Sequence, residues 1–322
     1  MTTEKKRLII IDANSIIHRA YHALPPLTTK SGELVNAVYG FLLVFFKAIK
    51  EFQPDYIVAA FDFPGKTFRH KKFKEYKAKR PPAPEELYQQ IPKVKEILNA
   101  FSVPVFEKEG FEADDIIGTI AHLAPKRQVL PKIETIILSG DLDALQLINS
   151  QTKVYSLRKG VKDVILYDQN LVKEKYGGLT PGQLLDFKAL KGDPSDNIPG
   201  VTGVGEKTAT QLIKQFGTLE NLYKALNRRP LPKAVLTRVN RRFRALLEEY
   251  KEQAFLSKSL VQIEKDVPID FNLKKCFWGR YNKEKAVQAL KSFEFYSLVE
   301  RLSEFEKQNK EDLPIGENLK LW

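Results

Sequence analysis

The chain has 322 residues, with 52 lysines and arginines against 40 aspartates and glutamates, for a net charge of +12. That length admits one large core with a smaller appended unit, and the basic excess points to a polyanionic partner. The single cysteine, Cys276, excludes an internal disulfide framework. The apolar run Phe41–Phe46 is too short to span a bilayer, and only four apolar residues follow the basic N-terminus before Asp12. The expectation is a cytoplasmic protein, monomeric and without a membrane partner.

Leu8–Ile11 is an apolar, β-forming run that ends in Asp12. Residues 36–52 read as a buried helix. The next run, Tyr56–Phe61, ends in Asp62 and so repeats the pattern. A change of composition follows, because Gly65–Arg80 carries eight Lys or Arg against one Glu. Phe68, Phe73 and Tyr76 are interleaved with those bases, among them Lys66 and Arg69. Pro81, Pro82 and Pro84 then stop any helix. A strand is expected at 103–106 and a helix from about Phe111, with Glu112, Asp114 and Asp115 in its first turn. A further strand, 135–138, breaks at Ser139-Gly140 and delivers Asp141 and Asp143. Two strand-like pieces, 153–157 and 163–167, flank Arg158-Lys159-Gly160 as a hairpin. From Thr180 onward short helices dominate.

Alternating strands and helices define an α/β protein with a mostly parallel central sheet. In such sheets ligands bind beyond the C-terminal ends of the strands. Asp12, Asp62, Glu112, Asp114, Asp115, Asp141 and Asp143 should therefore meet at one edge. Each alone has a plainer reading as an Asx turn, a helix cap or a favourable charge at a helix start. Together they would repel unless a cation neutralised them. Hard divalent ions suit carboxylates, and Mg²⁺ leaves room for water and phosphate; four histidines and one cysteine argue against zinc. The chemistry that follows is two-metal phosphoryl transfer.

A second acidic pair, Asp193 and Asp196, precedes Gly203-Val204-Gly205-Glu206-Lys207-Thr208. Gly203 and Gly205 at a helix start let backbone N–H groups approach an anion. The third glycine of a dinucleotide fingerprint is missing and no strand precedes. The helical flanks suggest a helix-hairpin-helix that grips a duplex backbone, with an ordinary helix–helix turn as the plainer alternative.

Five segments, LIIIDANSIIHRAYHALPPLTTKSGELVNAVYGF, AAFDFPGKTFRHKKFKEYKAKRPPAP, GFEADDIIGTIA, LSGDLDALQL and LLDFKALKGDPSDNIPGVTGVGEKTATQLIKQFG, carry a resemblance. The chain resembles the 5′ nucleases of the flap endonuclease superfamily, most closely the 5′→3′ exonuclease domain of bacterial DNA polymerase I. The resemblance implies a PIN-like, resolvase-like sheet with a helical arch at 65–85 and a helix-hairpin-helix (helix-three-turn-helix) subdomain. It implies Mg²⁺ held by Asp12, Asp62, Glu112, Asp114, Asp115, Asp141, Asp143, Asp193 and Asp196, with Mn²⁺ as a substitute. Arg19 would lie near the scissile phosphate, and Lys77 and Arg80 would act from the arch. Tyr76, Lys66, Arg69, Gly203, Gly205, Lys207 and Thr208 would contact DNA, with K⁺ in the helix-hairpin-helix. Leu142 stands where many relatives carry Lys. Expected partners are a 5′ flap or junction DNA, an RNA primer on DNA, and a DNA polymerase.

The domains expected are 1–175 (nuclease), 176–265 (helix-hairpin-helix), 266–307 (packing back on the nuclease) and 308–322 (tail). The leading function is a Mg²⁺-dependent 5′→3′ exonuclease and flap endonuclease in DNA replication and repair. Two other classes compete with it. A non-catalytic junction-binding protein would bind flaps without cutting them. A phosphatase with an aspartyl nucleophile would want a DxD after the first strand, where Asp12-Ala13-Asn14 supplies one Asp.

Overall fold

The computed structural model describes residues 5–127, 132–228 and 241–302. The expected tail, 308–322, lies outside them.

Six strands form one sheet. In chain order they are β1 (Lys6–Asp12), β2 (Tyr56–Ala60), β3 (Val105–Phe106), β4 (Ile133–Ser139), β5 (Thr152–Leu157) and β6 (Val164–Tyr167). Their spatial order is β3-β2-β1-β4-β5-β6, all parallel except the β5–β6 hairpin. β1 is central, pairing Ile10 with Val58 on one side and with Ile137 on the other. Its unbroken apolar run is what burial on both faces requires. Side chains alternate across a strand, so the two faces build two cores. Leu8 and Ile10 belong to one, and Ile9 and Ile11 to the other.

The second core is covered by α1 (Ala13–Ala23) and α2 (Asn36–Phe52). Gly40 is where these helices touch, since a Cβ there would stand 2.6 Å from the Ala20 Cβ. Two short helices, α3 (Phe68–Lys72) and α4 (Glu85–Tyr88), precede α5 (Ile91–Ala100), which packs on the same face.

The first core is covered by α6 (Ala113–Leu123) and by the helical unit that follows β6. That unit contains α7 (Gln169–Lys175), α8 (Leu184–Lys191), α9 (Glu206–Phe216), α10 (Leu219–Asn227), α11 (Arg241–Glu249) and α12 (Lys251–Val261). Beneath it, Lys258 bonds both Asp186 and Glu220, at 2.5 and 2.8 Å. The chain then returns to the sheet. Phe277 bridges to Tyr56, the Trp278 N–H donates to the Asp55 carbonyl, and α13 (Lys283–Ser292) packs on α5. No helix among the described residues is long and apolar enough to cross a membrane.

The basic segment differs from the expected arch. Helix is confined to its ends, α3 and α4, and residues 74–79 form turns. Lys77 adopts a left-handed φ of 57°, which interrupts a helix, and the prolines that follow have no N–H to extend one. The segment lies down across the strand ends as a strap. Its aromatics take the plainer of their two readings: Phe68 packs on Phe111, while Phe73 and Tyr76 pack with Ile198, Leu260 and Val261.

Candidate functional site

The C-terminal ends of β1, β2 and β4 open into a cavity of about 290 Å³. It is lined by Asp12, Asp62, Glu112, Asp114, Asp141, Asp143 and Asp196, with Asn14, Ser15, His18, Tyr76, Lys77 and Arg80 among its other walls. Asp193 lines an adjoining groove that it shares with Asp141 and Asp143. Eight of the nine expected acids are thus brought to one place by separate segments of chain.

Local chemistry fixes several of them through the plain readings of cap and turn. Asp12 Oδ1 accepts from the Ser15 N–H at the start of α1, and its Oδ2 accepts from Ser139 Oγ at 2.6 Å. Asp62 accepts the Ala113 N–H at 2.8 Å. Asp141 takes the Asp143 N–H at 2.8 Å, and Asp193 takes the N–H and hydroxyl of Ser195. These caps and turns hold the carboxylates at the cavity and groove that they line. Asp114 differs: no donor reaches its carboxylate among the described residues.

Burial and mutual repulsion raise four of these acids, while Asp193, held by Lys188 and Ser195, is lowered. Asp12 is pushed up to about 6 chiefly by burial, with Asp62 adding to it. Asp143 is also pushed up to about 6 by burial, against the opposing pull of Lys188. Asp114 is raised well above the carboxylate range by burial and then by Asp12, Asp141 and Asp143. Asp62 is open to solvent at the rim, yet protein crowds it on most sides and raises it. A raised affinity for protons is what crowded, buried carboxyls show when no cation balances them.

Cations of the chain itself hold the rest. Lys77 Nζ lies 2.9 Å from Glu112, and Tyr76 Oη donates to Glu112 and Asp196 at 3.0 and 3.2 Å. Arg80 pairs with Asp196, and Lys188 bridges Asp143 and Asp193. Among the described residues no three His, Cys, Asp or Glu side chains close a metal cage by themselves. Mg²⁺ does not need one, since it binds through one or two carboxylates and keeps water and phosphate for its other positions. The residues fit a hard divalent ion on that basis.

One expected acid sits elsewhere, and two expected DNA contacts are turned inward. Asp115 is 0 % exposed and lines neither cavity nor groove; Arg69 takes both its oxygens, at 2.7 and 2.8 Å. Its place one residue beyond Asp114 on α6 turns it inward, about a quarter-turn away. It is an anchor rather than a ligand in this structure. Arg69, 2 % exposed, lines the cavity wall but is spent on Asp115 and on the carbonyls of Leu260 and Gln262. Tyr76, 3 % exposed, faces the acids and offers no stacking surface. Arg19 points into the groove but is tied to the carbonyls of Gly140 and Arg158. Lys66, Gly203, Gly205 and Lys207 are exposed, and Thr208 is half-buried.

Two site residues escaped the sequence reading. Lys188 lies on α8, five residues before Asp193, with nothing in that spacing to set it apart from other helix lysines. His18 lines both cavity and groove one turn beyond Ser15, and the periodicity of α1 held that signal. Burial and the neighbouring His22 lower its affinity for a proton, keeping it neutral.

The chain belongs to the 5′-3′ exonuclease family. Residues 7–177 match its N-terminal resolvase-like domain, and residues 179–284 match its C-terminal SAM fold. Among curated relatives, DNA polymerase I of Bacillus subtilis is 42 % identical over 310 residues, covering 96 % of this chain and 34 % of that one. DNA polymerase I of Bacillus caldotenax is 39 % identical over 312 residues, covering 97 % of this chain and 34 % of that one. The chain thus spans about a third of the length of these relatives. Among solved structures, the T5 D15 protein co-crystallised with metal ions superposes with a TM-score of 0.63 at 20 % identity, covering 88 % of this chain and 93 % of that one. The catalytic core of Rad2 in complex with DNA substrate gives 0.54 at 19 %, covering 91 % and 89 %. Both share the fold.

Proposed function

We propose that the chain is a divalent-metal-dependent, structure-specific 5′ nuclease. It hydrolyses phosphodiesters near a single-strand/duplex junction, removing 5′ flaps and RNA primers during DNA replication and repair. The observation that carries this reading is the gathering of seven carboxylates round one cavity beneath a basic strap. The T5 relative's crystallisation with metal ions and the Rad2 complex with DNA substrate support it by analogy, as does the relationship to DNA polymerase I.

On this reading Asp12, Asp62, Glu112, Asp114, Asp141, Asp143, Asp193 and Asp196 hold Mg²⁺, or Mn²⁺ in its place. Bound there, the metal supplies an activated water and charge on the scissile phosphate. Ser15 and Ser139 hold the Asp12 carboxylate in position. Lys77, Arg80 and Lys188 exchange their carboxylate partners for phosphate oxygens once the metal is in place, and Arg19 receives the strand in the groove. Gly203, Gly205, Lys207 and Thr208 hold a duplex by its backbone, with K⁺ on the turn carbonyls.

A labelled 5′-flap substrate tests the proposal. With Mg²⁺ the protein should release the flap, and with Ca²⁺ it should bind without turnover. Asp141→Asn with Asp143→Asn should bind normally and cut at least a thousandfold more slowly. Wild-type rates in that variant would refute the roles assigned. Tight binding with no cleavage in any divalent ion would instead favour a junction-binding protein.

A further inference from the structure

The groove beside the carboxylate cavity holds about 760 Å³, and α1 forms one of its walls. Ser15, His18, Arg19, His22 and Ala23 line it, a stripe at three- and four-residue steps along one side of the helix. The opposite side, Ala13, Ile16, Ile17 and Ala20, is buried in the core, so the wall is fixed. Within the stripe His18 and His22 stand one turn apart, which puts their Cβ atoms about 5–6 Å from each other.

The ring nitrogens of this pair are unengaged. Among the described residues no hydrogen bond reaches either ring, and the one ring contact is between His22 and the edge of Tyr21, with centroids 5.2 Å apart. The other two histidines are placed differently. His70 is bonded to Thr67 through Nδ1, and His122 lies on α6, outside both cavity and groove. Burial, with His22 adding to it, keeps His18 neutral and so leaves a lone pair on its ring.

Two imidazoles at i and i+4 on a helix can converge on one metal ion. Imidazole suits zinc and its first-row neighbours, whereas Mg²⁺ takes oxygen. No third protein ligand completes a cage among the described residues, so water fills the remaining positions, as in an open zinc site. Asp141, Asp143 and Asp193 on the other walls offset Arg19, Arg80 and Lys188, and a dication entering the groove meets little net repulsion.

We propose that His18 and His22 form a separate metal site, selective for a transition-metal dication such as Zn²⁺ and distinct from the carboxylates assigned to Mg²⁺. His18 lines the cavity as well as the groove, so an ion held there stands where the two meet, beside Arg19. On the nuclease reading that is the path of the strand, and the ion inhibits cleavage while Mg²⁺ is still in place. The site itself does not depend on that reading; only the inhibition does.

The test titrates untagged protein with zinc chloride in excess Mg²⁺, which occupies carboxylates and leaves imidazole free, and reads free zinc with a chromophoric chelator. His22 is exposed and lines the groove but not the cavity, which makes it the position to change. His22→Gln should weaken zinc binding at least about tenfold. His22→Cys puts another zinc ligand in the same place and should bind at least as tightly as wild type. His122→Gln should change nothing. In Mg²⁺ alone His22→Gln should cut a labelled 5′ flap at the wild-type rate, and half-inhibition by zinc should move upward about tenfold. Equal zinc affinity in wild type and His22→Gln would overturn the site, as would loss of binding in His22→Cys. Inhibition that stays the same in His22→Gln despite weaker binding would overturn the inhibitory role. If no flap is cut in Mg²⁺ at all, the zinc titration still decides the site, and it is the nuclease reading that fails.

Discussion

Arg69 and Asp115 hold each other through two hydrogen bonds of 2.7 and 2.8 Å, with 2 % and 0 % of their surfaces exposed. Arg69 also donates to the carbonyls of Leu260 and Gln262, and the Glu264 N–H donates to Asp115. The pair therefore joins the base of the strap, the acid-bearing helix α6 and the chain leaving α12. Removing one partner strands a buried charge, so Arg69→Met or Asp115→Asn should each cost about 3–5 kcal/mol. Arg69→Met with Asp115→Leu should regain a large part of the loss. Urea denaturation of the singles and the double checks this; losses that simply add would contradict it.

The acid cluster makes stability depend on pH in a stated direction. Asp12 is held at about 6 by burial, against an ordinary 3.8. Its protonated form is favoured in the folded chain, so the stability it adds is complete below pH 3.8 and is lost as pH rises through 6. Metal-free protein should weaken between pH 4 and 7, by about 2–3 kcal/mol from Asp12 alone. Asp12→Asn should flatten that slope. Mg²⁺ needs the ionised acids, so it should stabilise strongly at pH 7.5 and little at pH 5. Denaturation midpoints with EDTA and with Mg²⁺ at the two pH values decide the matter, and an equal metal effect at both would count against it.

The second acidic pair depends on a glycine. Gly200 has a φ of 63°, and a Cβ there would run into the backbone of Lys191 and Gly192. That close approach shuts the loop on which Asp193 and Asp196 stand, with the Val201 N–H bonded to the Leu190 carbonyl at 2.7 Å. Gly200→Ala should cost more than about 2 kcal/mol through strain and displacement. It should also raise the Mg²⁺ concentration needed for half-maximal cleavage. Gly182→Ala, where open space surrounds the position, serves as the control.

The sheet was legible because its strands are buried on both faces. Unbroken apolar runs such as Leu8–Ile11 and Ile136–Leu138 have no competing reading at that length. The acids at their ends inherited a location from the topology alone, which is why Asp12, Asp62 and Asp141 could be placed together. What the sequence concealed was which way neighbours on a helix turn. Asp114 and Asp115 are adjacent and chemically alike, yet one faces the cavity and the other Arg69. That choice is made by Arg69, 46 residues away, and no local pattern records it. The strap was hidden for a related reason. Its bases read as a solvated surface awaiting phosphate, whereas in the folded chain the nearest anions are Glu112 and Asp196.

On the proposed reading, those pairings would make the strap a competitor for the metal. Tyr76 Oη bridges Glu112 and Asp196, Lys77 Nζ and Arg80 pair with the same two acids, and the Asn197 amide donates to the Glu75 carbonyl at 2.7 Å. Lys77 meanwhile holds a left-handed φ of 57°, a conformation that costs about 1 kcal/mol or more and persists only while its neighbours enforce it. On the proposed reading, a divalent ion drawn to Glu112 and Asp196 would displace the Lys77 and Arg80 side chains and leave the strap held there chiefly by backbone bonds such as Lys77 N–H to the Asp196 carbonyl at 2.9 Å. Mg²⁺ without DNA should therefore speed tryptic cutting after Lys77 and Lys79 relative to EDTA. Tyr76→Phe removes one bridging donor worth about 1 kcal/mol and should raise the cutting rate in EDTA roughly fivefold. A rate that Mg²⁺ leaves unchanged or slows would mean that the strap and the metal do not share these acids.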